Sequence, residues 1–173
     1  METAERKTHW ENIYSTKELN EVSWYQPNPH TSLHFFEDNN VPFSANVIDI
    51  GGGDSFLTDK LIDIGYENVH LLDISEKAIE RSKKRLGANA DKVNYIQSDI
   101  VDFETDEQFD VWHDRAAFHF LTNEKEIQAY LDKVNRFIKP NGLMVIGTFS
   151  EEGPTKCSGI EISQYSEISM NAI

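Results

Sequence analysis

From Asn46 to Phe149 short apolar runs alternate with longer stretches whose apolar residues fall on one helical face. No other feature restricts the fold as strongly. NVIDI (46–50), VHLLDI (69–74), VNYIQSD (93–99), FDVWHD (109–114) and LMVIGTF (143–149) have the length and composition of strands. Between the first two, Phe56, Leu57, Leu61, Ile62 and Ile64 form a stripe that stops at Gly65, as a helix with a glycine cap does. Ser75 suits the N-cap of a helix carrying Ala78, Ile79, Ser82 and Leu86 on one face, with Glu80 and Lys84 spaced for an i,i+4 pair. Ile127, Tyr130, Leu131, Val134, Phe137 and Ile138 share a face over 123–138, and Pro140-Asn141-Gly142 then reads as a turn. This alternation predicts an α/β, Rossmann-like, doubly wound and mainly parallel sheet with helices on both faces.

The flanks differ from this core. The 173 residues suit a single domain. It divides into an N-terminal cap segment (1–45), the regular core (46–149) and a C-terminal remnant (150–173). The cap segment is polar with scattered aromatics, and helices are expected near 5–18 and 30–39, the second entered at Asn28 before Pro29. Residues 150–173 suffice for one helix and a short extension. A complete C-terminal antiparallel hairpin is therefore expected to be absent or incomplete, the chain shortened or truncated, and the fifth strand an unpaired edge.

Composition removes several function classes. The net charge of −14 and the pI near 4.7 disfavour nucleic acid and anionic membrane surfaces as partners. No apolar stretch approaches the roughly 20 residues that span a bilayer. One cysteine, Cys157, allows no internal disulfide and fits a cytoplasmic location. No metal site is expected: His30 and His34 are the only histidines at ligand spacing, and a third ligand is lacking.

In open parallel sheets ligands bind at the carboxyl ends of strands. Gly51, Gly52 and Gly53 follow the first strand, so a ligand can approach the main chain there, although a bare turn would look the same. Asp49, at the end of an apolar strand, needs a donor or a cation. Asp73 ends the second strand, where an acid accepts from both ribose hydroxyls or, alternatively, offsets a helix dipole. Asp99 follows the third strand, placed either to accept from an exocyclic amine with Ile100 against a flat ring, or to serve as a turn residue. A nicotinamide dinucleotide fits poorly: Phe56 stands where the third glycine of its fingerprint falls, and Asp49 and Asp54 would flank its pyrophosphate. A cationic ligand with ribose and adenine but no phosphate fits better.

VIDIGGGDS, LLDIS, SDIVDF, FDVWHDRAAFHFL and KPNGLMVIGTF, in this order, resemble the motifs of the class I S-adenosylmethionine-dependent methyltransferase family, of the small bacterial type. Ser55 replaces the last glycine of the first motif. The resemblance implies S-adenosylmethionine as cofactor, with Asp49, Gly51, Gly53, Asp73, Ile74, Asp99 and Ile100 on its side, and with His113, which alternates to the opposite strand face, as a main-chain contact or a structural residue. It also implies that the end of the fourth strand faces the methyl group, where Asp114 and His119 are the candidate catalytic residues. HWENIY and SWYQ resemble an N-terminal segment that closes over the cofactor, which makes Tyr14 and Trp24 candidates for the acceptor side. The implied reaction is in-line methyl transfer to a small-molecule or protein side-chain nucleophile. Asp114-Arg115-Ala116-Ala117 departs from the Asn-Pro-Pro-Tyr signature of many amino-group methylators. A non-catalytic binding module and, further off, an NAD-dependent oxidoreductase are the alternatives. The acceptor and the oligomeric state are not legible.

Overall fold

The structure is a computed structural model that describes residues 3–173. Two helices, α1 (Thr3–Thr16) and α2 (His30–Asp38), precede the regular core. The core runs β1 (Asn46–Ile50), α3 (Leu57–Ile64), β2 (Asn68–Asp73), α4 (Glu76–Leu86), β3 (Val93–Gln97), β4 (Phe109–Arg115), α5 (Glu124–Phe137) and β5 (Ile138–Gly147). A short hairpin, β6 (Lys156–Cys157) and β7 (Ile160–Glu161), and a last helix, α6 (Glu167–Asn171), follow.

Local chemistry sets the boundaries. Gly65 takes a left-handed φ of 106° and its N–H bonds to the carbonyls of Leu61 and Ile62, which ends α3. Ser75 Oγ accepts from Ala78 N–H at 3.2 Å, and Asn123 Oδ1 from Glu126 N–H at 3.0 Å, so α4 and α5 start on side-chain caps. Two details differ from expectation. Pro29, with its ring-restricted φ, takes the cap position of α2 in place of Asn28. Glu80 pairs with Lys77 at 3.0 Å rather than with Lys84, an exposed contact of little energetic weight.

The sheet has the order β3-β2-β1-β4-β5, and its strand pairs are all parallel. The chain winds outward from β1 to β3, then crosses to the other side for β4 and β5. The switch point therefore lies between β1 and β4. Alternation along the strands feeds two cores. Val47, Val69, Leu71 and Val111 pack with Phe36, Leu57 and Leu61 on one face. Ile48, Ile50, Leu72 and Trp112 pack with Phe109, Tyr130 and Phe137 on the other. Trp112 Nε1–H donates to Tyr130 Oη at 2.9 Å, so the largest buried ring leaves no polar atom unpaired.

The expected turn at 140–142 is an excursion within a strand. Ile138 sits opposite Phe109 and Leu143 opposite Val111, so residues 139–142 loop outward, with Asn141 at φ 64°. At the C-terminus the two residue pairs of β6 and β7 form an antiparallel hairpin outside the main sheet. β5 remains an edge of that sheet among the described residues.

Candidate functional site

A cavity of about 350 Å³ opens at the carboxyl ends of the central strands, beneath α1. Gly51, Asp73, Ile74, Asp99, Ile100, His119, Tyr14 and Trp24 all line it. The glycine turn is shaped by close approach. Gly51 has φ +66°, and a Cβ there would stand 2.9 Å from Ala117 Cβ. A Cβ on Gly53 would lie 2.6 Å from Asp73 Oδ2 and 2.3 Å from Ala78 Cβ. Only glycine lets the main chain reach these neighbours.

Asp73 is gripped by the backbone. Its Oδ2 accepts from Gly53 N–H at 3.0 Å and its Oδ1 from Ser75 N–H at 2.8 Å. Burial pushes its pKa up to about 7, against the pull of these two N–H groups. Each oxygen keeps acceptor capacity. Asp99 is held from two sides: Oδ2 by Arg6 Nη1 at 2.7 Å and Oδ1 by Val101 N–H at 3.3 Å. The same guanidinium also bonds Glu126.

Three residues expected on the cofactor side stand behind the wall. Asp49, His113 and Gly53 do not line the cavity. Asp49 and His113 are register partners on the sheet face that packs on α2. Asp49 Oδ1 accepts from His113 Nδ1 at 2.7 Å, and His113 Nε2 lies 2.9 Å from Ser32 Oγ of α2. The donor that Asp49 needs is thus a histidine of the neighbouring strand. Gly53 acts at one remove, through its N–H on Asp73. Asp54 is likewise taken, by Arg81 at 3.3 Å and Arg85 at 3.7 Å.

The two candidate catalytic residues separate. Asp114 is fully buried and faces α5 rather than the cavity. Its Oδ2 accepts from Tyr130 O–H at 2.8 Å; its Oδ1 accepts from the N–H groups of Ala117 at 2.9 Å and Phe118 at 3.1 Å. Burial raises its pKa to about 6 against those bonds. Its work is to fold the loop after β4, in which Ala116 takes a φ of 75°. That loop presents His119 to the cavity. His119 is fully buried, and neither ring nitrogen has a hydrogen-bond partner among the described residues. Burial lowers its pKa to about 4, so the ring is neutral at pH 7.

Aromatic rings close the outer side. Trp10 contacts Trp24 with centroids 5.8 Å apart and Phe120 at 5.0 Å, and Tyr14 meets Trp24 at 6.3 Å. Trp10, Phe120 and Arg6 carried no individual signal in the sequence. Cys157 of β6 is buried and lines the same cavity. No group of three His, Cys, Asp or Glu among the described residues is placed to hold a metal, and no described helix is long and apolar enough to cross a membrane.

Comparison with known proteins agrees with this architecture. The chain is similar to malonyl-[acyl-carrier protein] O-methyltransferase 2 of Ilyobacter polytropus, with 29% identity over 119 residues, 68% of this chain and 44% of that protein. It is similar to the mouse eEF1A lysine and N-terminal methyltransferase, with 28% identity over 138 residues, 78% of this chain and 19% of that protein. The chain spans less than half the length of the curated relatives it matches first. Among solved structures, a DhpI-SAM-HEP complex superimposes with a TM-score of 0.71 at 14% identity, over 96% of this chain and 84% of that one, and so shares the fold. The methyltransferase-domain family matches residues 44–170, the whole regular core and most of the C-terminal segment, and the chain belongs to that family.

Proposed function

We propose that the protein is an S-adenosylmethionine-dependent methyltransferase acting on a small-molecule or protein side-chain nucleophile. The observation that carries this reading is Asp73: a buried carboxylate, fixed by two backbone N–H groups, with open acceptor sites at the cavity wall. That is the requirement for holding both hydroxyls of a ribose. Relatives are named as methyltransferases of malonyl-[acyl-carrier protein] and of eEF1A lysine, and the glycopeptide N-methyltransferase MtfA, which shares the fold, has been solved with S-adenosylmethionine and with S-adenosylhomocysteine.

The residues present fit this cofactor. Asp73 would take the ribose, Ile74, Asp99 and Ile100 the adenine, and the main chain at Gly51 the amino-acid end. When bound, S-adenosylmethionine supplies an electrophilic methyl group on a sulfonium. The leaving group is good, so the protein contributes mainly alignment and the exclusion of water. The rings of Trp10, Tyr14, Trp24 and Phe120 exclude water and position the acceptor. His119 is neutral and its ring nitrogens are open, so it takes the proton of an acceptor that arrives as O–H or N–H. The acceptor is not nucleic acid or a membrane surface, a reading supported by the charge of −14. A cytoplasmic location is supported by the single cysteine.

The test is turnover. The purified chain is incubated with S-adenosylmethionine and a panel of small carboxylic acids, amines, phenols and lysine peptides, and S-adenosylhomocysteine release is measured. Product above the no-enzyme background with any acceptor, reduced about 100-fold by His119→Ala, supports the proposal. Tight cofactor binding with no turnover across the panel favours a non-catalytic binding module.

A further inference from the structure

Four of the five arginines meet a carboxylate: Arg6 with Asp99 and Glu126, Arg81 with Asp54, Arg85 with Asp59, and Arg136 with Glu104. Arg115, the last residue of β4, meets none within ion-pair distance among the described residues. This is unexpected in a chain with 30 Asp and Glu against 16 Lys and Arg. The adjacent carboxylate of Asp114 is turned to α5 and spent on Tyr130 and two backbone N–H groups.

Arg115 is nonetheless built in. It is partly buried and lines the cavity. Nη2–H donates to the Trp24 carbonyl at 3.2 Å. Its stem lies on Gly147 of β5, where an added Cβ would come 3.3 Å from Arg115 Cγ. Ala116 N–H bonds to Gly147 O at 2.8 Å, so the backbone beside it is pinned as well. The guanidinium has five donors, and one is used on Trp24. A partly desolvated cation is costly unless an anion meets it. The acids that line the cavity, Asp73 and Asp99, are held by their own partners at the ends of β2 and β3. Trp24 and Phe149 share the cavity with Arg115, so an apolar body can sit beside the charge.

We propose that Arg115 is a specificity residue of the acceptor subsite, and that the acceptor is a small molecule carrying an anionic oxygen group, carboxylate or phosphate, next to an apolar body. The planar fork of the guanidinium suits two oxygens of such a group. This rests on the methyltransferase reading, which assigns the acid-lined end of the cavity to the cofactor.

The test uses the full chain and three probes that share one apolar body. S-adenosylhomocysteine is first titrated by calorimetry. The loaded protein is then titrated with 3-phenylpropionate, phenyl phosphate and phenethylamine. At least one acidic probe is expected to bind, the amine to bind more weakly, and Arg115→Gln to weaken the acidic probe roughly 10- to 100-fold with little change in S-adenosylhomocysteine affinity. The tighter acidic probe tells carboxylate from phosphate. If Arg115→Gln fails to fold, Arg115→Lys carries the test, with an expected loss of about 3- to 10-fold from the missing fork. Equal binding of the acids by wild type and variant, preference for the amine, or no binding of either acid to the loaded protein overturns the inference while leaving the cofactor reading intact. Failure to bind S-adenosylhomocysteine overturns both.

Discussion

At Asp73 one carboxylate carries two pH effects of opposite sense. Its pKa in the folded chain is raised to about 7 by burial, from an ordinary 3.8. The stability gained by keeping it neutral is complete below about pH 4 and is lost as pH rises through 7. Ribose hydroxyls, in contrast, need the ionised acceptor. Cofactor affinity is therefore expected to rise about 10-fold between pH 6 and 8 and then level off, and calorimetric titration of Asp73→Asn over that range should show no such rise. His119 contributes no step of this kind: burial leaves it neutral down to about pH 4, so turnover between pH 5.5 and 8.5 should lack the usual histidine limb near 6.5. Asp114 belongs to stability. It accepts three hydrogen bonds in a fully buried position, and Asp114→Ala is expected to cost about 3 kcal/mol in urea unfolding, because Tyr130 and two N–H groups lose their acceptor.

At the scale of elements, α1 is a strap across the cavity, and it is tied at both ends. Thr3 Oγ1–H donates to Asp102 at 3.1 Å and Arg6 grips Asp99. Further along, Glu11 accepts from Glu76 N–H at 2.6 Å, at the start of α4, and Arg81 Nη1 donates to the carbonyls of Tyr14 at 3.0 Å and Lys17 at 2.9 Å. Glu11→Ala removes the acid that caps α4. It should speed amide exchange of α1 and raise the cofactor dissociation rate about 5-fold, a change read by stopped-flow tryptophan fluorescence. The strands of the core were legible in the sequence because each is an apolar run between turn residues, and Gly51, Asp73, Ile74, Asp99, Ile100 and His119 were legible because a parallel sheet puts its ligand at strand ends. Alternation also made the opposite strand face of His113 legible, but its pairing with Asp49 was not, because that pairing depends on the register of two strands 64 residues apart. Arg6 was illegible because its partner Asp99 lies 93 residues away. The role of Asp114 depends on Tyr130, which only the packing of α5 brings near.

For the whole molecule, the switch between β1 and β4 opens the crevice, and the parallel winding directs every strand's carboxyl end into it. Asp73 and Asp99 line the cavity at the ends of β2 and β3, Asp99 paired with Arg6, and Arg115 lines it at the end of β4. β5 is an edge of the sheet among the described residues. Its free backbone groups are a template for pairing, and sedimentation velocity at rising protein concentration should reveal self-association if that edge recruits a second copy. All of this depends on the acid-lined end of the cavity holding a ribosyl cofactor. The decisive measurement is calorimetric titration of S-adenosylhomocysteine into the purified chain at pH 8, beside Asp73→Ala of matched circular dichroism. One-to-one saturable binding that falls at least about 10-fold in the variant is the expected result. A folded wild-type chain that gives no binding heat, or equal affinity in the two proteins, would contradict the assignment of the site.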